Sequence, residues 1–306
     1  MKVLVATQKP FAAAAVKGIK DIVEGAGYEF ALLEKYEQQS DLVAAVADAD
    51  ALIVRSDKVT AEVVGAAKQL KIVVRAGAGY DNLDLAACSA HGVVAMNTPG
   101  QNANAVAELA LALMIFMART QFTPATGSEI QGKTIGIQAF GNVGRLVGTK
   151  AAALGMKVKA IDPFLSAEQI IAGGAEPAGS IEELYAGCDY VSIHIPATPQ
   201  TIGSIGYELI SKMPKGATLI NTARKEVIDE AGLAKALEER SDLKYAADVA
   251  PDNLAELKEK FGARVFATPK KMGAQTAEAN INAGLAAARQ IVSFLKDGCT
   301  KFQLNK

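Results

Sequence analysis

The stretch TIGIQAFGNVGRLVGTKAAALGMKVKAID, residues 134–162, decides the fold of this chain. It opens with an apolar, β-branched run typical of a buried strand, and it continues through glycines into a helical run that reaches Leu154. It closes on a short strand that ends at Asp162. A strand, a helix and a second strand in this order predict a βαβ unit. Its helix N-terminus offers unpaired N–H groups to an anion, and its glycines let that anion approach the backbone closely.

The glycine pattern departs at one position from the G-x-G-x-x-G fingerprint of dinucleotide-binding proteins. Ala139 stands where the first glycine is usual. Asp162 lies 18 residues after the last glycine, near the spacing of about 20 at which a carboxylate meets the ribose hydroxyls. Since a carboxylate repels the 2′-phosphate of NADP, the pattern predicts NAD. The predicted cofactor contacts are Gly141, Asn142, Val143, Gly144 and Asp162.

Composition and charge exclude several classes of protein. Half of the 306 residues are hydrophobic, and 32 basic residues balance 33 acidic ones, which argues against a general nucleic-acid or membrane binder. The apolar run 105–118 is shorter than the roughly 20 residues that span a bilayer, and residues 1–6 are predicted to form a strand rather than a signal peptide. Cys88, Cys188 and Cys299 form neither a disulfide framework nor a zinc motif, which favours a cytoplasmic location.

Strand and helix patterns alternate along the chain, and this predicts an α/β fold with two doubly wound parallel sheets. The predicted strands are 3–6, 30–33, 51–54, 71–75, 93–96, 134–137, 157–162, 190–194, 218–221, 245–248 and 265–267. The predicted helices are 11–24, 41–47, 61–69, 83–91, 102–119, 144–154 and 276–297.

Helix 102–119 carries few polar residues, so it must be buried on several faces. A helix that links two domains and also packs against a second subunit would satisfy this requirement. We therefore predict a homodimer formed through the 102–119 region.

Polar side chains stand at the carboxyl ends of the predicted strands, where ligands bind in doubly wound sheets. His194 is one of two histidines; with Pro196 it is predicted to line the cofactor cleft, although it is also a formal proton carrier. Arg224 follows a strand end and can clamp a carboxylate through two parallel hydrogen bonds. The residues at the strand ends themselves are Arg55, Arg75, Asp162, His194, Asn221 and Asp248.

Taken together, several stretches resemble the D-2-hydroxyacid dehydrogenase family, and within it the D-3-phosphoglycerate dehydrogenases of phosphorylated serine biosynthesis. The resemblance covers nearly the whole chain. It rests on the nucleotide motif and on RAGAGYDN (75–82), NTP (97–99), VAE (106–108), His194-x-Pro196 and NTAR (221–224).

The resemblance implies a flavodoxin-like substrate domain, residues 1–97 and 282–306, and a Rossmann NAD-binding domain, residues 98–281. It implies that Arg224 holds the substrate carboxylate and polarises its carbonyl. Serine feedback is not expected, because the regulatory domain that many members add is not seen here. The further cofactor contacts it implies are His194, Pro196, Thr222, Ala223, Asp248 (against the nicotinamide amide) and Gly273. The substrate contacts it implies are Ala76, Gly77 and Ala78 for the carboxylate, and Arg55, Ser56 and Asn102 for the phosphate.

The loop after strand 265–267 departs from the family, because two lysines stand where a catalytic histidine follows the proline. Counting forward from Pro269 selects Lys270, whereas counting back from Gly273-Ala274-x-Thr276 selects Lys271. The loop has one extra residue, so both lysines are candidates. Lys271 is favoured because the Gly-Ala-x-Thr anchor leads into the last helix.

The glutamate that orients the family's histidine is also missing. Only Asp252 or Asn253 stands near its position, and Lys225 replaces a glycine of the family. A lysine needs no orienting carboxylate, but its pKa of about 10.4 must fall before it can act as a base near neutral pH. Burial and the cations Arg224 and Lys225 would lower that pKa. We therefore predict lysine acid/base chemistry with an alkaline optimum in the oxidative direction.

Three functions follow from these residues. The leading hypothesis is NAD-dependent oxidation of 3-phosphoglycerate to 3-phosphohydroxypyruvate. The second keeps the chemistry but changes the substrate to glyoxylate, hydroxypyruvate or another D-2-hydroxy acid. The third is a non-catalytic, nucleotide-sensing corepressor, which the retained arginine and the two lysines argue against.

Overall fold

The computed structural model describes residues 1–306, which divide into two compact units. Unit 1 comprises residues 1–102 and 275–306, and unit 2 comprises residues 103–274. Each unit is built on one sheet of parallel strands.

Unit 1 contains a five-stranded sheet in the order β2-β1-β3-β4-β5, which is the flavodoxin-like order. Apolar residues from successive positions of β1 enter the cores on opposite faces of this sheet, as the two-residue period of a strand requires. The elements are β1 (Lys2–Thr7), α1 (Ala13–Gly25), β2 (Glu29–Glu34), α2 (Gln39–Ala45), β3 (Ala51–Val54), α3 (Ala61–Ala66), β4 (Ile72–Arg75), α4 (Leu85–Ala90) and β5 (Val94–Asn97).

Unit 2 contains a seven-stranded parallel sheet in the order β12-β11-β10-β9-β6-β7-β8. Its elements are α5 (Ala103–Ala118), β6 (Thr134–Gln138), α6 (Asn142–Ala153), β7 (Lys157–Ile161), α7 (Ala167–Ala172), β8 (Glu176–Pro177), α8 (Ile181–Ala186), β9 (Tyr190–Ile193), α9 (Tyr207–Ile210), β10 (Thr218–Asn221), α10 (Glu230–Glu239), β11 (Lys244–Ala247), α11 (Leu254–Phe261) and β12 (Val265–Ala267), with 3₁₀ turns at Thr120–Phe122, Lys225–Val227 and Gly262–Arg264.

The strand order of unit 2 reverses between β6 and β9, because β7 and β8 extend to one side of β6 and the later strands extend to the other. This is the Rossmann order with one added strand, and ligands of such sheets bind at the reversal point. The predicted α/β fold with two parallel sheets is confirmed.

The last helix, α12 (Ala277–Asp297), belongs to unit 1 and packs against α1. Glycines allow a close approach, since a Cβ at Gly284 would lie 2.9 Å from Ile19 Cδ1. After α12 the chain returns to the edge of the sheet, where the Leu304 N–H donates to the Ala95 carbonyl oxygen at 2.8 Å.

Nine of the sixteen residues of helix α5 are buried in the chain. It packs against α6 and against the sheet at β10 and β11. Contacts within one chain therefore account for much of the burial that its sequence requires, and the homodimer remains a prediction. None of the helices combines the length and the apolar character needed to cross a membrane.

Candidate active site

The turn between β6 and α6 has the backbone form that a phosphate-binding loop needs. Gly141 is the N-cap of α6, no side chain caps the helix there, and its first turn holds no acidic residue. Its first N–H groups are therefore not capped by a side chain of the helix itself and can bind an anion. Gly144 is required by packing, because a Cβ at this position would overlap the Ala139 carbonyl oxygen.

Ala139 adopts the left-handed conformation that the missing glycine of the fingerprint would adopt easily. Its φ is +73°. An L-residue in this region is strained by about 1–2 kcal/mol. The turn thus keeps the backbone conformation expected for a glycine, although the Ala139 side chain disfavours that conformation.

Replacing Ala139 by glycine should stabilise the chain by roughly 0.5–1 kcal/mol, because relief of the left-handed strain exceeds the added entropy of the unfolded chain. Thermal or urea unfolding would measure the change. Ala160→Gly provides the control, since Ala160 lies in β7 without a positive φ and its glycine variant should be less stable. A destabilised A139G would contradict the strain argument.

The Asp162 carboxylate is held at the end of β7 by two backbone N–H groups. Phe140 donates to its Oδ2 and Phe164 donates to its Oδ1, each at 2.9 Å. The first of these bonds ties the carboxylate to the glycine turn. The carboxylate expected to bind the ribose and the turn expected to bind the phosphates are thus fixed together within unit 2.

Phe164 is a residue that the sequence interpretation missed. Its ring is 91% exposed although its backbone is bonded to Asp162. An exposed aromatic ring beside the carboxylate expected to bind the ribose would offer a stacking surface to the adenine base. The sequence signal was available, since an aromatic residue follows Asp162-Pro163 directly.

We expect Phe164→Ala to raise the Kd for NADH by roughly 5- to 150-fold, because stacking of a base on an aromatic ring contributes about 1–3 kcal/mol. Fluorescence titration would measure the affinity, and the melting temperature should not change. Ile171→Ala is the matched control, since this side chain is 61% exposed and lies on α7. Unchanged NADH affinity in F164A would remove the stacking role.

His194 follows β9, and its Nε2 lies 2.9 Å from Ser192 Oγ. Burial lowers the pKa of the imidazole from 6.5 to about 4. His194 is therefore neutral at physiological pH, which suits a cofactor-lining residue better than a group that must exchange protons near pH 7. Pro196 follows, and its carbonyl oxygen accepts a bond from the Thr201 hydroxyl.

The lowered pKa of His194 predicts acid sensitivity of the fold. Below pH 6.5 the unfolded imidazole binds a proton that the folded one refuses until about pH 4. Stability should therefore fall as pH drops through this window, by an amount on the order of 2–3 kcal/mol. His194→Gln should flatten the dependence of the unfolding free energy on pH between 6.5 and 4, whereas His91→Gln should leave it in place. An equal slope in H194Q would contradict this assignment.

Arg224 is presented by a tight turn after β10. The buried Asn221 side chain forms this turn, because its Oδ1 accepts from Ala223 N and its Nδ2 donates to the Arg224 carbonyl oxygen, both at 2.9 Å. The Arg224 guanidinium donates to the Ala223 carbonyl oxygen at 2.9 Å. Thr222, which lies between Asn221 and Ala223 in the sequence, has a buried Oγ1 without a hydrogen-bond partner. This leaves a polar atom for a ligand to satisfy.

Lys270 and Lys271 lie on the segment 268–273, here named the lysine loop, which follows β12. Both side chains are exposed in the chain. Asp248, at the end of β11, is 1% exposed and accepts the backbone N–H groups of Met272 and Gly273, each at 2.8 Å. The carboxylate expected to face the nicotinamide amide thus also anchors the lysine loop.

The two residues considered as substitutes for the family glutamate have other partners. Asp252 pairs with Lys225, whose pKa is raised chiefly by this bond. The N–H groups of Asp252 and Asn253 both donate to the Glu230 carboxylate.

The residues expected to bind substrate lie in unit 1. The Arg55 guanidinium, at the end of β3, donates to the carbonyl oxygens of Lys9 and Pro10, each at 3.1 Å, and to Asn280 Oδ1 of α12 at 2.6 Å. Burial lowers the pKa of Arg55. Ser56 is exposed beside it, and Asn102 is half-buried at the end of this part of the unit.

The glycine-containing loop after β4 is packed by an arginine. Arg75 Nε donates to the Arg55 carbonyl oxygen at 3.0 Å, and a Cβ at Gly77 would overlap the Arg75 guanidinium. Gly77 has a φ of +148°. Ala76 is buried, and the Ala78 carbonyl oxygen accepts from Asn97 Nδ2 at 2.6 Å. The Arg75 guanidinium is thus packed against this loop at one edge of the sheet.

The residues of unit 2 fit a dinucleotide. The uncapped helix N-terminus, the close approach at Gly144, the held Asp162 carboxylate and the unpartnered Thr222 hydroxyl all lie at the carboxyl edge of one parallel sheet. Fold and site together define a Rossmann-type dinucleotide-binding unit.

Comparison with known proteins gives the family. Residues 107–272 match the family described as D-isomer specific 2-hydroxyacid dehydrogenase, NAD binding domain. The chain belongs to the D-isomer specific 2-hydroxyacid dehydrogenases, and NAD is its cofactor, as the sequence predicted.

Individual relatives agree with this assignment. A D-3-phosphoglycerate dehydrogenase of Mycobacterium tuberculosis is 39% identical over 270 residues, which are 82% of this chain and 50% of that protein. The NAD+-bound 3-phosphoglycerate dehydrogenase of Entamoeba histolytica is 50% identical with a TM-score of 0.87, and the match covers all of this chain and 99% of that one. D-2-hydroxyisocaproate dehydrogenase, at 21% identity and a TM-score of 0.85 over the full length of both chains, shares the fold. The chain spans about half the length of the curated relatives that it matches.

Proposed function

We propose that this chain is an NAD-dependent dehydrogenase that oxidises 3-phosphoglycerate to 3-phosphohydroxypyruvate, the reaction that opens phosphorylated serine biosynthesis. One observation carries the proposal. The Asn221 turn presents Arg224, and the lysine loop presents two ammonium groups, at the same edge of the NAD-binding sheet. The 50% identity to a 3-phosphoglycerate dehydrogenase supports the choice of substrate.

The proposed chemistry divides between a carboxylate clamp and a proton carrier. When bound, NAD supplies the acceptor for the hydride that leaves C2. Arg224 holds the substrate carboxylate through paired hydrogen bonds and orients the C2 oxygen. A lysine of the lysine loop takes the hydroxyl proton at its Nζ during oxidation and returns it during reduction. Neutral His194 adds no charge to the site at neutral pH.

The contacts of Arg55 favour a second candidate substrate, an unphosphorylated 2-hydroxy acid. Examples are the 2-hydroxy acids formed when glyoxylate or hydroxypyruvate is reduced. This guanidinium donates three hydrogen bonds to protein oxygens. An arginine side chain carries five N–H donors in all. Less of its hydrogen-bonding capacity is then left for a phosphate. Arg75, packed on the Gly77 loop, provides a second cation nearby in unit 1.

A panel of 2-keto acids with and without a 3-phosphate tests these candidates through the rate of NADH oxidation. The proposal expects the highest kcat/KM for 3-phosphohydroxypyruvate. Equal or higher kcat/KM for hydroxypyruvate or glyoxylate would favour the second candidate. NADH binding without turnover of any keto acid would contradict both and support a nucleotide-sensing corepressor.

We also propose a homodimer in a reducing compartment such as the cytoplasm. The half-buried apolar residues Leu109, Ile115 and Phe116 of α5 support a subunit contact there. The three cysteines are free thiols, two of them buried, which is consistent with a reducing environment. Sedimentation at several concentrations would measure the oligomeric state.

A further inference from the structure

The lysine loop is tied to the sheet by a pair of buried side chains, Asp248 and Thr268. Thr268, at the start of the loop, is 5% exposed. Its Oγ1 lies 2.8 Å from Asp248 Oδ1, 2.9 Å from the Lys270 carbonyl oxygen and 3.1 Å from the Asp248 carbonyl oxygen, and its single proton can be donated to only one of the three at a time. Asp248 Oδ1 also accepts the Met272 N–H at 2.8 Å.

These contacts reach both peptide groups that flank Lys271, and both are held when the Thr268 hydroxyl donates to the Lys270 carbonyl oxygen. The peptide before it contributes the Lys270 carbonyl oxygen, which meets Thr268 Oγ1. The peptide after it contributes the Met272 N–H, which meets Asp248. For Lys270 the structure shows such a contact on only one side. The backbone of Lys271 is therefore the better fixed of the two, although both side chains are exposed.

We propose that Thr268 is a positioning residue, whose hydroxyl fixes the backbone of Lys271 and thereby makes this lysine the acid/base group. The kinetic part of this inference rests on the proposed function. The geometric part concerns the chain without substrate. Placement matters because a displacement of about 1 Å can lower a rate by about 10²-fold.

Three variants of the full-length chain separate the hydroxyl from the shape of the side chain. Thr268→Val keeps the branched shape and removes the hydroxyl, whereas Thr268→Ser keeps the hydroxyl. Thr218→Val is the matched control, because Thr218 is another buried threonine of the same sheet, at the start of β10. Melting temperatures show whether each variant is folded.

Competitive acetylation with acetic anhydride, read by peptide mass spectrometry without substrate, tests the geometric part. We expect T268V to change the acetylation rate of Lys271 relative to Lys270 by at least roughly threefold, since the freed backbone alters the surroundings of its Nζ. T268S and T218V should match the parent chain. An unchanged ratio in folded T268V would overturn the proposal.

Steady-state kinetics with 3-phosphohydroxypyruvate test the consequence. We expect kcat of T268V to fall by about 10²-fold, its KM for NADH to stay within about threefold, and the pH at which kcat declines to shift. T268S should recover most of kcat. A parent chain that turns over no keto acid would contradict the proposed function, and the acetylation ratio would still decide the role of Thr268.

Discussion

Replacing Lys271 by alanine should lower kcat for reduction of 3-phosphohydroxypyruvate by about 10²- to 10⁴-fold, the usual contribution of a general acid–base group. The affinity for NADH should change little, because the Lys271 side chain is exposed and is not among the residues expected to contact the cofactor. Steady-state kinetics and NADH titration on the same preparation would measure both quantities.

Lys270→Ala is the matched control for this experiment. It removes an exposed lysine from the neighbouring position of the same loop, and it should reduce kcat by less than about tenfold. If K271A keeps near-full turnover while K270A is inactive, the choice between the lysines is wrong. If both variants stay active, lysine acid/base chemistry is wrong. In the active chain, the oxidation rate should rise toward alkaline pH, where the lysine loses its proton.

The second large effect is expected for Gly144→Ala, which should destabilise unit 2 by about 1–3 kcal/mol. The added Cβ would overlap the Ala139 carbonyl oxygen, which is backbone and cannot rotate away. The turn must then shift, and NADH binding should weaken by roughly tenfold or more, since about 1.4 kcal/mol corresponds to a factor of ten. Urea unfolding and NADH titration would measure the two losses.

Gly141→Ala separates packing from cofactor approach. A Cβ at Gly141 would meet no atom within 4 Å, and its φ of −80° suits any residue. We therefore expect unchanged stability in G141A but weaker NADH binding, because the added methyl group would occupy space at the turn that is expected to bind the phosphates. Equal stability of G144A and the parent chain would contradict the packing argument.

The strands could be predicted from the sequence because their signal is local. Two parallel sheets covered on both faces produce short, continuous apolar runs such as 51–54 and 218–221, and these match β3 and β10 at both ends. β8 was missed because it has only two residues, Glu176 and Pro177, and neither residue favours a strand.

Helices α7 to α11 were not predicted, although α10 buries Leu233, Ala236 and Leu237 at helical spacing.

The candidate site was less accessible from the sequence, because its details depend on contacts between distant residues. The sequence predicted that Ala139 weakens the nucleotide motif, but it could not show that the backbone keeps a positive φ there. Arg55 was expected at a phosphate, yet one of its partners is Asn280, 225 residues away. Likewise, the bonds from Asp248 and Thr268 to the lysine loop have no sequence motif.

Unit 1 is assembled from both ends of the chain, and this orders the events of its folding. During synthesis, all of unit 2 is made before α12, so unit 2 can fold first. The first five strands, which belong to unit 1, remain without α12 during this time. Until α12 arrives, Ile19 and Val23 of α1 lack part of the core that Ala287 and Ile291 complete. The exposed apolar face is then available to a chaperone or to aggregation for as long as translation of residues 103–297, unit 2 and α12, takes. A substitution in α12 that weakens this docking would therefore reduce the yield of folded protein even where it leaves the cofactor-binding unit intact.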